Sequence, residues 1–411
     1  MSPTVREEDA TLLIADALEG NLTEPEQLAT LLIRVRRHLH QHPELGLREF
    51  NTSRFIRAVL ETHGLEVSGP VADTGLYVDI KGHHPGPTVA YRADIDALPI
   101  MEQSNTPYVS RHEGVAHLCG HDAHTAIAIG VAVYLDHHRD DINGTVRVFF
   151  QPNEEGIPSG APLMVEAGIM DDVSAVYASH VDPTVAAGRF GLMTGAVTAS
   201  ADRFRVRVLA ASTGHSARPH QATDPIWIAT QIMSDLYQML GRISDPRRPA
   251  ILAICRMHAG EAYNVIPDEA EFGGTFRCTA NEDREIFKKQ IERTAKHVGE
   301  GHGARVDVDF DLGSPPVVND GELIHVMREA IEETHGKQAI FNIPVPSMGA
   351  EDFAHYLQHA PGALIRIGTC SSPETAHALH DSRFDIDENV MAPAAIVMSK
   401  ALMRLLRRKA V

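Results

Sequence analysis

Thr145-Val146-Arg147-Val148-Phe149-Phe150-Gln151-Pro152-Asn153-Glu154-Glu155-Gly156 is an apolar, β-rich run that stops at a proline and leads directly into two adjacent carboxylates. The run predicts a buried strand over 145–151. Comparable strand patterns fall at 75–80, 88–94 and 175–180, with helical patterns at 31–40, 49–63 and 122–137. Gln41-His42-Pro43-Glu44-Leu45-Gly46 breaks the first two helices apart. Alternation of this kind predicts an α/β sheet covered by helices. In such sheets ligands gather beyond the carboxyl ends of the strands. Asp94, Glu154, Glu155 and His180 all read as lying at or just past such ends, and His380 falls in the loop after a further strand at 363–368.

The pattern changes after about Gly195. A strand at 202–209 is followed by a helix at 224–240, strands at 250–257 and 270–278, a helix at 281–298 and a strand at 304–310. This β-α-β-β-α-β order is the ferredoxin-like split arrangement, expected as an inserted α+β domain over 198–312. Gly313-Ser314-Pro315-Pro316 punctuates the exit, and α/β alternation resumes through 322–334, 351–358 and 363–368. The expected organisation is therefore a first domain from 1–197 and 313–411, interrupted by the insertion.

The 411 residues are 43% hydrophobic and 22% charged, ordinary values for a globular protein with a sizeable core. A formal charge of −18 disfavours a nucleic-acid partner. The longest apolar runs fall short of a membrane span. Residues 1–19 place Glu7, Glu8 and Asp9 where a secretory signal would carry basic and then apolar residues, so a cytoplasmic location is expected. Cys119, Cys255, Cys278 and Cys370 are too scattered for a disulfide framework, which leaves them as ligands or core residues.

Cys119 and His121 precede the helix at 122–137, where unpaired backbone N–H groups and the helix dipole favour a thiolate. A sulfur, imidazoles and a carboxylate together suit zinc, manganese, nickel or cobalt better than magnesium or calcium. Taken singly, each residue has an ordinary reading: a lone buried cysteine is usually a small hydrophobe, and adjacent glutamates are usually a solvated turn. Position at strand ends and at a helix start is what sets these residues apart. Successive residues on an extended backbone point in opposite directions, so Glu154 and Glu155 are expected to divide their labour.

Several motifs resemble a known family. They are Arg36-Arg37-His38-Leu39-His40-Gln41-His42-Pro43-Glu44-Leu45-Gly46, Arg92-Ala93-Asp94-Ile95-Asp96-Ala97-Leu98-Pro99, Cys119-Gly120-His121-Asp122-Ala123-His124-Thr125, Asn264-Val265-Ile266-Pro267 and Gly349-Ala350-Glu351-Asp352-Phe353. In this order they resemble the metallo-amidohydrolases that include aminoacylases, hippurate hydrolase and indoleacetyl-amino-acid hydrolases, within a larger metallopeptidase superfamily. The resemblance implies a metallopeptidase-type catalytic domain with a mixed sheet flanked by helices, and an inserted dimerisation or lid domain. It implies one or two divalent ions held by Cys119, His121, Glu155, His180 and His380, with Glu154 as general base and Asp94 supporting the site from behind. His215 resembles the inserted-domain histidine that helps bind the oxyanion in a partner subunit. Asn264 and Arg277 resemble residues that hold the substrate's polar groups. Asn153, the segment Ile157-Pro158-Ser159-Gly160, Asp182, Arg218 and His220 depart from the family's common pattern, and Arg218 is a candidate contact for an anionic or aromatic group of the substrate. His38, His40, His42 and His124 are expected to pack or hydrogen-bond rather than to ligate metal.

The implied activity is hydrolysis of the amide bond of a small-molecule substrate, an N-acyl amino acid or related conjugate, by a homodimer or higher homo-oligomer. Rival readings on the same scaffold are a dipeptidase or carboxypeptidase and an aromatic amine hydrolase; a non-catalytic metal-binding protein is the reading from another class. A serine nucleophile is disfavoured because no Gly-x-Ser-x-Gly elbow is present.

Overall fold

A computed structural model describes residues 22–409. The reading of residues 1–19 lies outside them. The described residues divide into two compact units, the first comprising those up to 195, 318–344 and those from 355 on, the second 196–317 and 345–354.

The first unit is built on an eight-stranded mixed sheet, in the order Val67–Val71, Gly75–Lys81, Asn143–Gln151, His84–Asp94, Val173–Ala186, Gly362–Cys370, Phe190–Leu192 and Ile340–Asn342. Its four central strands, from Asn143–Gln151 to Gly362–Cys370, are parallel, which brings their carboxyl ends to one edge. Strands buried on both faces need apolar side chains throughout, and Val146, Val148, Phe149 and Phe150 are all fully buried. Helix His121–Asp136 is buried almost all round and packs against helices Pro25–Gln41 and Met391–Lys409. Gly130 permits that approach, since a Cβ there would lie 2.9 Å from Leu32 and 3.0 Å from Ala395. The stretch Glu388–Arg408 has the length and apolar character of a membrane span, but 72% of its most apolar 18-residue window is buried inside the protein.

The second unit has a four-stranded antiparallel sheet in the order Ala250–Ala259, Glu269–Cys278, Asp202–Leu209 and Arg305–Leu312. This is the ferredoxin-like arrangement expected from the sequence. Strict alternation produces it: Phe204, Val206 and Val208 face the core with Ile228, Ile232, Phe272, Phe287 and Ile291, while Arg203, Arg205 and Arg207 pair with Asp311, Asp309 and Asp307 on the other face. Helix Pro225–Ile243 starts where Asp224 accepts hydrogen bonds from the Ile226 and Trp227 N–H groups, with proline in the first turn.

Some elements differ from expectation. The second unit draws in residues 345–354. The helix expected at 351–358 is a 3₁₀ segment, Asp352–Gln358. Strand Val173–Ala186 runs six residues beyond His180, which therefore sits inside the strand. Pairing with His84–Asp94 stops at Arg92–Ala178, and in that parallel register His180 lies level with Asp94, the last residue of the neighbouring strand.

Candidate metal centre

Local backbone geometry puts the donors together. Asp94 is the last residue of its strand, and Gln151 the last of the next. The chain then turns through Asn153 at φ 53° to present Glu154 and Glu155. Gly120 caps helix His121–Asp136 at φ 86°, a conformation glycine adopts freely. A Cβ at Gly120 would lie 2.3 Å from a methyl of Val181, so the glycine lets Cys119 approach the strand that carries His180. The Cys119 sulfur is 3.5 Å from His180 Nε2. His380, at φ 67°, is tied by its backbone N–H to the Leu118 carbonyl at 2.8 Å, and its Nε2 is 2.9 Å from Glu155 Oε1.

Among the described residues of the first unit, four overlapping groups result, each with donor atoms within 4.8 Å of one another: Cys119, His121 and His180; Asp94, His121 and His124; Cys119, Glu155 and His380; His121, Glu154 and Glu155. Hydrogen bonds orient the rings. His121 Nδ1 faces the Asp96 carbonyl at 3.0 Å and the Asp96 carboxylate at 3.1 Å, which turns Nε2 inward. His180 Nδ1 faces the Val181 carbonyl at 2.8 Å, so its Nε2 also points at the cluster. This is the arrangement by which metal-binding histidines are held.

Burial pushes the Cys119 thiol well up, against the opposing pull of His121. Burial works against an imidazolium at His121, but Asp94, Cys119 and Asp96 outweigh it and raise that group. Burial, with His124 and Arg366 nearby, holds His180 well below its ordinary value. Burial would raise Glu155, yet His380 and His121 keep it low. His121 Nε2 is a buried nitrogen without a hydrogen-bond partner. Such an atom beside a thiol, imidazoles and carboxylates fits a divalent ion, which would satisfy the nitrogen and favour the thiolate.

The surroundings contain groups that the sequence reading passed over. Asp96, fully buried, holds His121 through one oxygen and accepts the Glu155 N–H through the other at 3.1 Å. Asp94 is closer to Arg92, at 2.7 Å, and to His124, at 2.6 Å, than to His121 Nε2, at 3.8 Å. The second ring nitrogen of His124 accepts the Val181 N–H at 2.9 Å, so both of its nitrogens are engaged. Behind the ligand helix, Asp122 accepts from buried Arg36 and pairs with His40, which also meets Glu102. The only sequence signal for Asp96 is its place two residues beyond a strand-ending aspartate in the same motif.

The remaining expected residues lie in the second unit. His215 is exposed, on a two-stranded ladder with Val265, and Asn264 accepts the Ser216 N–H through its carbonyl at 3.2 Å. The Ala217 N–H donates to His215 Nδ1 at 3.1 Å, which leaves Nε2 to carry the proton of a neutral ring. Arg277 is half-buried and donates to the Met348 carbonyl at 3.0 Å. Arg218 is exposed, its N–H bonded to the His215 carbonyl. The structure thus groups His215, Asn264 and Arg218 around one turn and keeps Arg277 on the sheet.

A mixed parallel-centred sheet with an α+β insertion, and a thiol, imidazole and carboxylate cluster at its strand ends, define a metal-dependent hydrolase acting on C–N bonds. The chain belongs to Peptidase family M20/M25/M40, whose sequence pattern it matches over residues 90–404. An N-acetyl-L-cysteine deacetylase of Bacillus subtilis (strain 168) is 37% identical over 385 residues, 93% of this chain and 90% of that protein. An N-acyl-L-amino acid amidohydrolase of Geobacillus stearothermophilus is 40% identical over 295 residues, 72% of this chain and 79% of that protein. The crystal structure of a Bacillus subtilis dinuclear metal binding peptidase from the M20 family superposes with a TM-score of 0.83 at 36% identity, covering 93% of this chain and 99% of that one.

Proposed function

We propose that this protein hydrolyses the amide bond of N-acyl amino acids to a carboxylic acid and a free amino acid, with Glu154 as the general base. The observation that carries this reading is the adjacency of Glu154 to a ligand set of Cys119, His121, Glu155, His180 and His380, within 4.8 Å of His121 and Glu155 donor atoms. The names of the deacetylase and amidohydrolase relatives support the substrate class.

One or two divalent ions, zinc, manganese, nickel or cobalt, would supply Lewis acidity that lowers the pKa of a bound water and polarises the amide carbonyl. Glu154 accepts the proton of the attacking water and returns it to the departing amine. His215, with its proton on Nε2, donates to the oxyanion, Asn264 and Arg277 hold the polar groups and carboxylate of the substrate, and Arg218 is a contact for an anionic or aromatic group. Asp94 and Asp96 keep the ligand side chains oriented. We assign the second unit to dimerisation, the assembly to a homodimer or higher homo-oligomer, and the enzyme to the cytoplasm.

Metal-loaded Glu154→Gln should retain its ions and lose roughly 10²-fold or more in turnover of an N-acetyl amino acid, as expected for loss of a general base. Near-normal turnover would remove Glu154 from the role. In a panel of N-acyl amino acids, dipeptides and aromatic amides, preferred cleavage of the dipeptides would replace the aminoacylase reading with a dipeptidase.

A further inference from the structure

The turn that carries the two glutamates is held by two buried carboxyl groups from distant parts of the first unit, Glu49 and Asp96. Asn153 is 7% exposed and has φ 53°, a left-handed conformation that asparagine tolerates better than most residues. Its N–H donates to Glu49 Oε1 at 2.9 Å, its carbonyl accepts the Gly160 N–H at 2.8 Å, and its side-chain Nδ2 donates to the Pro158 carbonyl at 2.7 Å. The amide group also fills the space over two glycines. A Cβ at Gly46 would lie 1.8 Å from Asn153 Oδ1, and one at Gly156 would lie 2.0 Å from it.

Glu49 is fully buried at the start of helix Phe50–Thr62, where its other carboxylate oxygen accepts from Thr74 Oγ1 at 2.7 Å. On the far side of Glu154, the Glu155 N–H is held by Asp96 at 3.1 Å. The backbone amides on either side of Glu154 therefore end on two different buried carboxylates. Burial pushes Glu49 up to about 7, against the hydrogen bonds it accepts. The Glu49 carboxyl accepts the Asn153 amide at 2.9 Å, so the bond fixes the backbone of the turn at the cost of this desolvation.

We infer that Glu49 and Asn153 are positioning residues for the reaction, fixing the turn so that the Glu154 carboxylate stays in line with the attacking water. Glu49 sets the entry of the turn, and the Asn153 amide closes its exit onto Pro158. The inference rests on the assignment of Glu154 as general base, through which both residues act.

The test uses full-length, metal-loaded protein and the variants Asn153→Ala, Asn153→Gly and Glu49→Met, with Glu154→Gln measured beside them. Glycine keeps the left-handed backbone without the side chain, and methionine keeps the volume at residue 49 without an acceptor. All three should lose about 10–100-fold in kcat, the scale of a small misplacement of a reacting group, with KM within threefold of the parent and metal content unchanged. If Asn153→Gly and Glu49→Met keep kcat within twofold while Glu154→Gln is inactive, the positioning role is overturned and the base assignment stands. If kcat falls together with metal content, the device serves the ligand Glu155 and the inference is again overturned. Wild-type turnover by Glu154→Gln would remove the base and the positioning role with it.

Discussion

Replacing His40 by glutamine removes a titrating group from the buried network behind the metal ligands, with a pH signature that can be worked out from the structure. His40 is 1% exposed, with Nδ1 2.8 Å from Asp122 and Nε2 3.1 Å from Glu102. Burial opposes the imidazolium, but the two carboxylates outweigh it and raise the group from 6.5 to about 9. That rise corresponds to about 3 kcal/mol. A group whose pKa is raised on folding contributes fully below its unfolded value, here below pH 6.5, and the contribution is lost as pH rises through 9. For a unit of this size the lost stability amounts to roughly 5–10 °C in Tm. Thermal unfolding of chelated wild type and His40→Gln, followed by near-ultraviolet circular dichroism at pH 6 and pH 10, cancels the packing cost of the substitution. The advantage of wild type should shrink by that amount between the two pH values. An advantage that stays the same within about 1 °C would refute a charged His40 in the folded protein.

Asp96→Asn cannot serve both His121 and the Glu155 amide as a charged acceptor, so metal affinity measured by chelator competition should fall about 10–100-fold in a folded protein. Gly120→Ala puts a Cβ against Val181 in a left-handed backbone. It should cost about 1–3 kcal/mol and lower the metal content per chain, measured by denaturation and elemental analysis. Arg284→Ala leaves buried Asp202 without the bidentate partner that meets it at 2.7 and 2.8 Å. A loss of about 3–5 kcal/mol is expected, read as early loss of amide protection in strands Asp202–Leu209 and Glu269–Cys278.

Much of this was legible because side-chain period reports secondary structure directly. Arg203 to Val208 alternates so strictly that both the strand and its buried face follow from it. Glu154, Glu155, Cys119 and His121 stood out because polar donors interrupt apolar elements at their ends. Where the sequence misled, local punctuation hid a tertiary context. The strand expected at 175–180 continues through Asp182 and Pro183, because the neighbour on one side has ended and proline is tolerated where no ladder bond is required. Gly69-Pro70 conceals the edge strand Val67–Val71 for the same reason. Pro393 disguises the start of helix Met391–Lys409, though proline fits the first turn of a helix. Asp96 and Glu49 were invisible as supporting groups because their partners, the amides of Glu155 and Asn153, are 59 and 104 residues away in sequence.

The most direct measurement counts divalent ions per chain and follows hydrolysis of an N-acetyl amino acid on the same preparation, as purified, after chelation and after reconstitution. One or two ions should be bound, turnover should disappear with them and return on reconstitution, and Cys119→Ala should lose both together. Chelated protein that hydrolyses the amide as fast as the reconstituted form would contradict a metal-dependent reaction at the cluster of Cys119, His121, Glu155, His180 and His380.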